Sequence, residues 1–427
     1  MPGAGDEERE HGGGPGVRAA SGHGGASKRS RASARGRAAP RRAAGEARAE
    51  EPTRDVPPER AEPQRAHVGA VAQGEPAPVG VDIGPPLLAW YRAAARALPW
   101  RRASPDPYAV WLSEVMLQQT RVDTVVPYYH RFLEQFPTVG ALAEAPEAEV
   151  LAAWSGLGYY RRARMLQKGA REIAAAGRFP SSRDELLRIS GVGPYTAAAV
   201  ASIAFGEPAE LVDGNVARVL ARVFALTCDV KSARGSAEVW AVARRELRRA
   251  VPGEWNQALM ELGATVCTPA RPACSACPLA PACRARALGL QSELPRAAKK
   301  APPREERRVA LVARNASGEL LLGQRLPDVR FGGMWEPPSA ALEAPGERGL
   351  PELAALLATS LGDCQDCGIV VHVLSHRRLV VKVLAARLER APRGPAGDYA
   401  TFAWVAPAAL ARRGVSALAR KLLAAGA

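Results

Sequence analysis

The sequence predicts a multidomain protein: a disordered N-terminal tail, an all-α domain, and a smaller α+β domain. Three observations carry this expectation. Residues 1–83 are mostly Gly, Ala, Arg, Pro and Glu, with almost no large apolar side chain; apolar positions recur at helical spacing from about 86 to 265; past about 308 they alternate. The 427 residues suffice for about three domain-sized units.

The tail cannot bury enough apolar surface to offset its ordering entropy. Its basic run from Lys28 to Arg42 could lie loosely along DNA or simply be solvated. Residues 1–83 hold 13 basic and 12 acidic side chains, so the net charge of +15 rests almost wholly on residues 84–427. A positive surplus on the folded part favours a polyanionic partner. No apolar run is long enough for a membrane span, and Asp6, Glu7, Glu8 and Glu10 do not suit a transit peptide.

In the α domain (84–290), Tyr108, Leu112, Val115 and Met116 form one stripe at i, i+4, i+7 and i+8. Further helices are expected at 123–135, 147–155, 161–176, 183–189, 195–205, 214–226, 236–249 and 255–265, with Gly and Pro at the joins. Residues 291–307, rich in Pro and Lys, read as a linker. In the α+β domain (308–427), strands are expected at 309–314, 319–324, 368–374 and 379–388, and helices at 352–361 and 406–425. Asn315-Ala316-Ser317-Gly318 reads as a hairpin turn.

Four features carry chemistry. Gly191-Val192-Gly193 joins two helical segments, and its backbone N–H groups at a helix start suit a phosphate; alone, it reads equally as a tight turn. The following segment is apolar all round, which would hold the hairpin rigid. Asp213 stands where it could cap the next helix or act as a catalytic carboxylate. Glu114 flanks the apolar stripe beside Trp111 and Gln118, either partly exposed or facing a cleft. Cys267, Cys274, Cys277 and Cys283 follow C-x6-C-x2-C-x5-C in a loop at 266–284, a thiolate set for zinc or an iron–sulfur cluster. Cys228 reads as a core thiol, and Cys364 and Cys367, without a second pair, as incidental.

A hairpin between helices, an aspartate some twenty residues on, and that cysteine spacing together resemble the endonuclease III superfamily of helix–hairpin–helix DNA glycosylases. Within it the chain is similar to the MutY family of adenine DNA glycosylases over most of 86–427. The resemblance rests on Leu98-Pro99-Trp100-Arg101, residues 111–120, Gly156-Leu157-Gly158-Tyr159-Tyr160, and residues 257–267 with Met260-Glu261-Leu262-Gly263-Ala264. It implies one 4Fe–4S cluster on the four cysteines, with a structural and DNA-contacting role. Members that also cut the strand carry a lysine two residues after the second hairpin glycine; here that residue is Tyr195, and a phenol cannot form an imine. The resemblance therefore implies a glycosylase without lyase activity. An endonuclease III-like lyase and a non-catalytic lesion binder are the readings it displaces.

The family further implies that Glu114 protonates adenine at N7, Asp213 stabilises the positive sugar, and Tyr195 and Asn215 position the two carboxylates. The adenine must be flipped out of the stack into a pocket with Arg96, Trp100, Arg101 and Glu261. Gln119, Thr120, Leu157 and Tyr159 match positions that wedge into the duplex. The C-terminal domain resembles the MutT/Nudix fold through Phe331-Gly332-Gly333-Met334-Trp335-Glu336-Pro337-Pro338, but residues 351–357 offer one acid where nucleotide hydrolysis needs several. Ser375 and His376 match the family's lesion-reading turn, with Leu374 in place of its aromatic. The implied partner is double-stranded DNA with adenine opposite 8-oxoguanine or guanine. The protein is expected to be monomeric, cytoplasmic and nucleoid-associated in a bacterium.

Overall fold

The computed structural model describes residues 82–298, 301–343 and 349–427. The described residues begin at Asp82, two residues before the expected boundary of the helical domain. Ile83 is 1% exposed within the helical core, and Asp82 accepts a hydrogen bond from Gly84 N at 2.9 Å. A single apolar anchor at the end of a polar segment is invisible to composition. The remainder of the expected tail, with its basic run, lies outside the described residues.

The helical domain is built from α1 (Gly84–Ala94), α2 (Pro107–Leu117), α3 (Val122–Gln135), α4 (Val139–Glu144), α5 (Glu147–Ala153), α6 (Arg161–Ala175), α7 (Arg183–Leu186), α8 (Pro194–Phe205), α9 (Gly214–Val223), α10 (Ala233–Glu246), α11 (Pro252–Thr265) and the short α12 (Arg284–Ala287). Start signals act locally. Asp106 accepts from Tyr108 N ahead of Pro107, and Ser182 with Glu185 forms a reciprocal cap on α7.

These helices pack as two lobes. One core gathers Trp111, Tyr129, Phe132 and Trp154; the other gathers Leu87, Leu220, Trp255 and Leu259. The two meet on α8. Its Ala197, Val200 and Ala201 belong to the first core, and Ala198 and Ala199 to the second. A helix without a polar face is thereby accounted for, since it is buried on every side. Its N-terminus is fixed where the lobes meet, and the site forms there.

Among the described residues the C-terminal domain forms a seven-stranded mixed sheet with β1 (Arg304–Arg314), β2 (Leu320–Arg325), β3 (Trp335–Glu336), β4 (Ser339–Ala341), β5 (Gln365–Val373), β6 (Arg377–Arg387) and β7 (Tyr399–Val405). The order is β3-β2-β1-β6-β5, with β4 beside β1 and β7 beside β2. β1 and β6 run parallel in register from Arg304↔Arg377 to Arg314↔Arg387. α13 (Leu350–Leu357) and α14 (Ala417–Ala425) cover opposite faces, each closing a separate apolar core.

Three expectations need correction. The linker expected at 291–307 is shorter, because β1 begins at Arg304. Residues 304–308 have a solvated composition, but Glu305 pairs with Arg378 and Glu306 with Arg330 and Arg377, so their charges brace strand pairing. The helix expected at 406–425 is interrupted: Pro407–Arg412 is a 3-10 turn, Val415 bridges to Trp335, and Ser416 caps a separate α14. Residues 399–405 form a strand whose alanines dilute the alternating pattern.

The sheet domain docks through its 327–334 loop. Met334 is fully buried in the first helical core, and the Phe331 and Tyr160 rings meet edge-on at 6.4 Å. Ser155 Oγ donates to Val415 O at 2.5 Å. This docking brings the β5–β6 turn against the helical domain. Among the described residues no helix is long and apolar enough to cross a membrane.

Candidate active site

Glu114 lies in α2 and is 4% exposed. Tyr195, in the first turn of α8, donates its hydroxyl proton to Glu114 Oε2 at 2.6 Å, and Met260 Sδ lies 3.1 Å from the same hydroxyl. Burial pushes the Glu114 pKa from 4.5 up to about 7, and the like charge of Asp213 adds to the rise. The Tyr195 hydrogen bond and the Arg101 charge act in the opposite direction. Burial also pushes the Tyr195 phenol well above its usual value, so it remains a donor.

Asp213 serves as cap and site group together. Its Oδ1 accepts from Val216 N at 2.7 Å at the start of α9, and its Oδ2 accepts from Asn215 Nδ2 at 2.8 Å. Burial raises its pKa above the usual carboxylate value, and those two donors limit the rise without cancelling it. Asn215 is in turn held by Arg218, whose Nη2 reaches Asn215 Oδ1 at 2.8 Å and whose Nε reaches Cys267 O at 2.7 Å. Gly263 permits this approach: a Cβ there would lie 2.6 Å from Asn215 Cβ.

Glu114, Asp213, Tyr195 and Asn215 line one cavity of about 790 Å³, together with Arg96, Trp100, Arg101, Gln119, Thr120 and Glu261. Glu261 is 1% exposed and holds Arg96 at 2.6 Å and Arg101 at 2.8 Å. Burial would raise its pKa, but the two guanidinium donors outweigh that and set it at about 2. Two buried carboxylates in one cavity thus carry opposite protonation tendencies. Trp100 is 7% exposed and packs edge-on against Tyr129 at 5.2 Å, a wall of both the cavity and the core.

In the hairpin only Gly191 takes a left-handed backbone, at φ 81°, and a Cβ there would lie 2.7 Å from Met165 Cβ. Gly193 has φ −97° and caps α8. Val192 is buried and anchors the turn. Glu172 accepts from Ser190 N at 2.7 Å and Ser190 Oγ at 2.6 Å.

A second cavity, of about 900 Å³, opens where the sheet domain meets the helical one. Tyr159, Leu374, Ser375 and His376 line it, and Gln118 borders both cavities. Tyr159 is 47% exposed, and its hydroxyl lies 2.8 Å from Ser375 Oγ in the turn between β5 and β6. His376 is exposed in that turn. Leu157, expected beside Tyr159 as a duplex wedge, is instead 5% exposed in the first helical core. Left-handed backbones at Gly156 and Gly158 turn Leu157 inward and Tyr159 outward.

Cys267, Cys274, Cys277 and Cys283 line one small apolar pocket with Val219, Val223, Leu262 and Val266. Among the described residues no three His, Cys, Asp or Glu side chains converge as ligands of a single ion; the thiols surround a space rather than a point. Arg222, 2% exposed, donates to Cys267 Sγ at 3.3 Å and to the carbonyls of Leu294, Thr268 and Pro269. Among the described residues no carboxylate pairs with this buried cation, and thiolates would supply its missing counter-charge. The donor set therefore fits an iron–sulfur cluster. Cys364 and Cys367 pack into opposite cores of the sheet domain.

Pattern reading missed Met260, Arg218 and Arg162. Nothing in the local sequence marks either arginine, and only the fold turns their guanidinium groups inward.

Comparison with known proteins accords with this arrangement. A family model described as HhH-GPD superfamily base excision DNA repair protein matches residues 112–241, and a NUDIX domain model matches 309–425. An adenine DNA glycosylase from Homo sapiens is 40% identical over 366 residues, covering 71% of this chain and 66% of that one. The Rattus norvegicus protein of that name is 40% identical over 363 residues, covering 71% of this chain and 70% of that one. The Arabidopsis thaliana one is 34% identical over 395 residues, covering 79% and 63%. The chain spans 63% to 70% of the length of these relatives.

Proposed function

This chain belongs to the adenine DNA glycosylase family, and we propose that it removes adenine mispaired with 8-oxoguanine or guanine in base excision repair, by base flipping and acid-assisted hydrolysis of the N-glycosidic bond. The observation that carries this reading is the buried Glu114, bonded to Tyr195 and sharing one cavity with Asp213.

The flipped adenine enters the Glu114 cavity. A carboxyl with a pKa of about 7 is substantially protonated at neutral pH, so Glu114 delivers its proton to adenine N7. As the C1′–N9 bond breaks, its electron pair leaves with the base, and positive charge develops on the sugar. Asp213, whose charged form accepts from Val216 and Asn215, stays ionised and stabilises that charge until water adds at C1′ and passes a proton to the Glu114 carboxylate, which restores the acid. Arg96, Arg101, Trp100 and Glu261 shape the base pocket; Tyr195 and Asn215 orient the two acids. The Gly191-Val192-Gly193 turn holds a phosphate without reading sequence. Because Tyr195 has no amine, the reaction ends at the abasic site.

Gln119 and Thr120 probe the adenine-bearing side, while Tyr159, Ser375 and His376 face the opposite base from the second cavity. Gln118, bordering both, supports a duplex lying across the two. Cys267, Cys274, Cys277 and Cys283 would hold a 4Fe–4S cluster, which supplies structural and DNA-contacting support rather than reaction chemistry.

The test is a glycosylase assay on duplexes with adenine opposite 8-oxoguanine, guanine, cytosine and thymine. Adenine release opposite the first two, with strand breaks only after alkali, is expected. Strand scission trapped by borohydride would point to a lyase, and binding without release to a lesion binder.

A further inference from the structure

Arg162, near the start of α6, points its guanidinium inward beneath two loops. Nη1 donates to Val115 O at 2.8 Å, Met116 O at 3.0 Å and Gln118 O, all at the C-terminal end of α2, where helix carbonyls lack intrahelical partners. Nη2 donates to Thr120 Oγ1 at 3.1 Å, Leu157 O at 3.4 Å and Gly158 O at 3.2 Å. The guanidinium carbon also lies 5.3 Å from the centroid of the Tyr159 ring.

Two of these acceptors stand immediately before backbone outliers. Gln119 has φ 59° and Tyr159 has φ 51°, the left-handed region that non-glycine residues avoid. Each is an exposed side chain aimed at one of the two cavities. Such strain persists only where the surroundings over-determine it. Here one planar fork binds the carbonyl preceding each strained residue, Gln118 O for the first and Gly158 O for the second. A lysine cannot reproduce this: its single ammonium lacks the fork that reaches both loops at once.

We propose that Arg162 is a positioning residue that holds the 118–120 and 157–159 loops in one register, so that engagement of the adenine strand and of the opposite base are coupled. The inference rests on the glycosylase reading for its catalytic consequence, but its structural content stands apart from it. Where adenine has no partner base, the coupling has nothing to act on.

Arg162→Lys is therefore compared with the unaltered protein in single-turnover reactions on adenine opposite 8-oxoguanine, guanine and an abasic-site analogue. The variant loses about tenfold or more on the two paired substrates, as expected for forfeited bonds to a charged group, but stays within about threefold on the unpaired one. Equal losses on all three would reduce Arg162 to a support for α2 and Glu114 and overturn the proposal, as would no loss at all. A second measurement needs neither catalysis nor that variant. Thr120→Val removes one acceptor of the fork, and amide exchange should rise about tenfold in both 118–120 and 157–160. A rise confined to 118–120 would overturn the coupling, whether or not the protein releases adenine.

Discussion

Tyr195 donates to Glu114 Oε2 across 2.6 Å, joining the first turn of α8 to the middle of α2. The bond favours the ionised form of an acid that burial holds at about pH 7. It therefore moderates the acid rather than creating it.

The pH dependence follows from this. Glu114 must be protonated to act, so the single-turnover rate should fall as pH rises through about 7, approaching tenfold per unit beyond it. Tyr195→Phe deletes a bond that lowers the Glu114 pKa, so the same fall should move to higher pH. A rate–pH series from about pH 5 to about pH 9 checks both. A fall at unchanged pH in the variant would contradict the assignment.

Stability should fall with rising pH over the same range as activity. Glu114 has a folded pKa near 7, above its ordinary 4.5, so its protonated form favours folding below pH 4.5 and that contribution is lost as pH rises through 7. Glu114→Gln cannot ionise. Denaturant unfolding should find it more stable than the unaltered protein at about pH 8, by up to about 3 kcal/mol, with the advantage gone in acid. A variant destabilised equally at both pH values would show that the carboxyl is structural.

The four-cysteine pocket predicts a brown protein absorbing broadly near ~400 nm. Cys277→Ala should bleach it and lower its thermal stability. Cys364→Ser with Cys367→Ser should leave the colour intact, because those thiols face opposite cores. Colourless protein carrying zinc would contradict the cluster.

At the second cavity, Ser375→Ala removes the partner of the Tyr159 hydroxyl. The rate on adenine opposite 8-oxoguanine should fall about fivefold, a lost neutral hydrogen bond, with less change opposite guanine. Equal losses on both substrates would assign Ser375 to domain docking instead.

Much of this was legible in the sequence, and the rest was hidden for physical reasons. The apolar surround of α8 foretold its burial, and the change of apolar period marked the second domain. Asp213 was readable as a cap from its neighbours; its second role depends on α11 approaching through Gly263, a distance no local pattern contains. Glu114 was ambiguous because its helix is apolar nearly all round, and only tertiary packing decided that it faces a cavity. Leu157 was misplaced since motif position cannot say which way two left-handed glycines turn the chain. Arg162 was missed altogether: in an Arg-rich helix start, an inward guanidinium has the same sequence as an outward one.

The central claim is that Glu114 and Asp213 act on one extruded adenine in one cavity. Its most direct measurement is single-turnover adenine release by Glu114→Gln and Asp213→Asn on an adenine–8-oxoguanine duplex, with duplex affinity measured in parallel. Both variants should bind the duplex and release almost no adenine. Release by either at the unaltered rate would contradict the account.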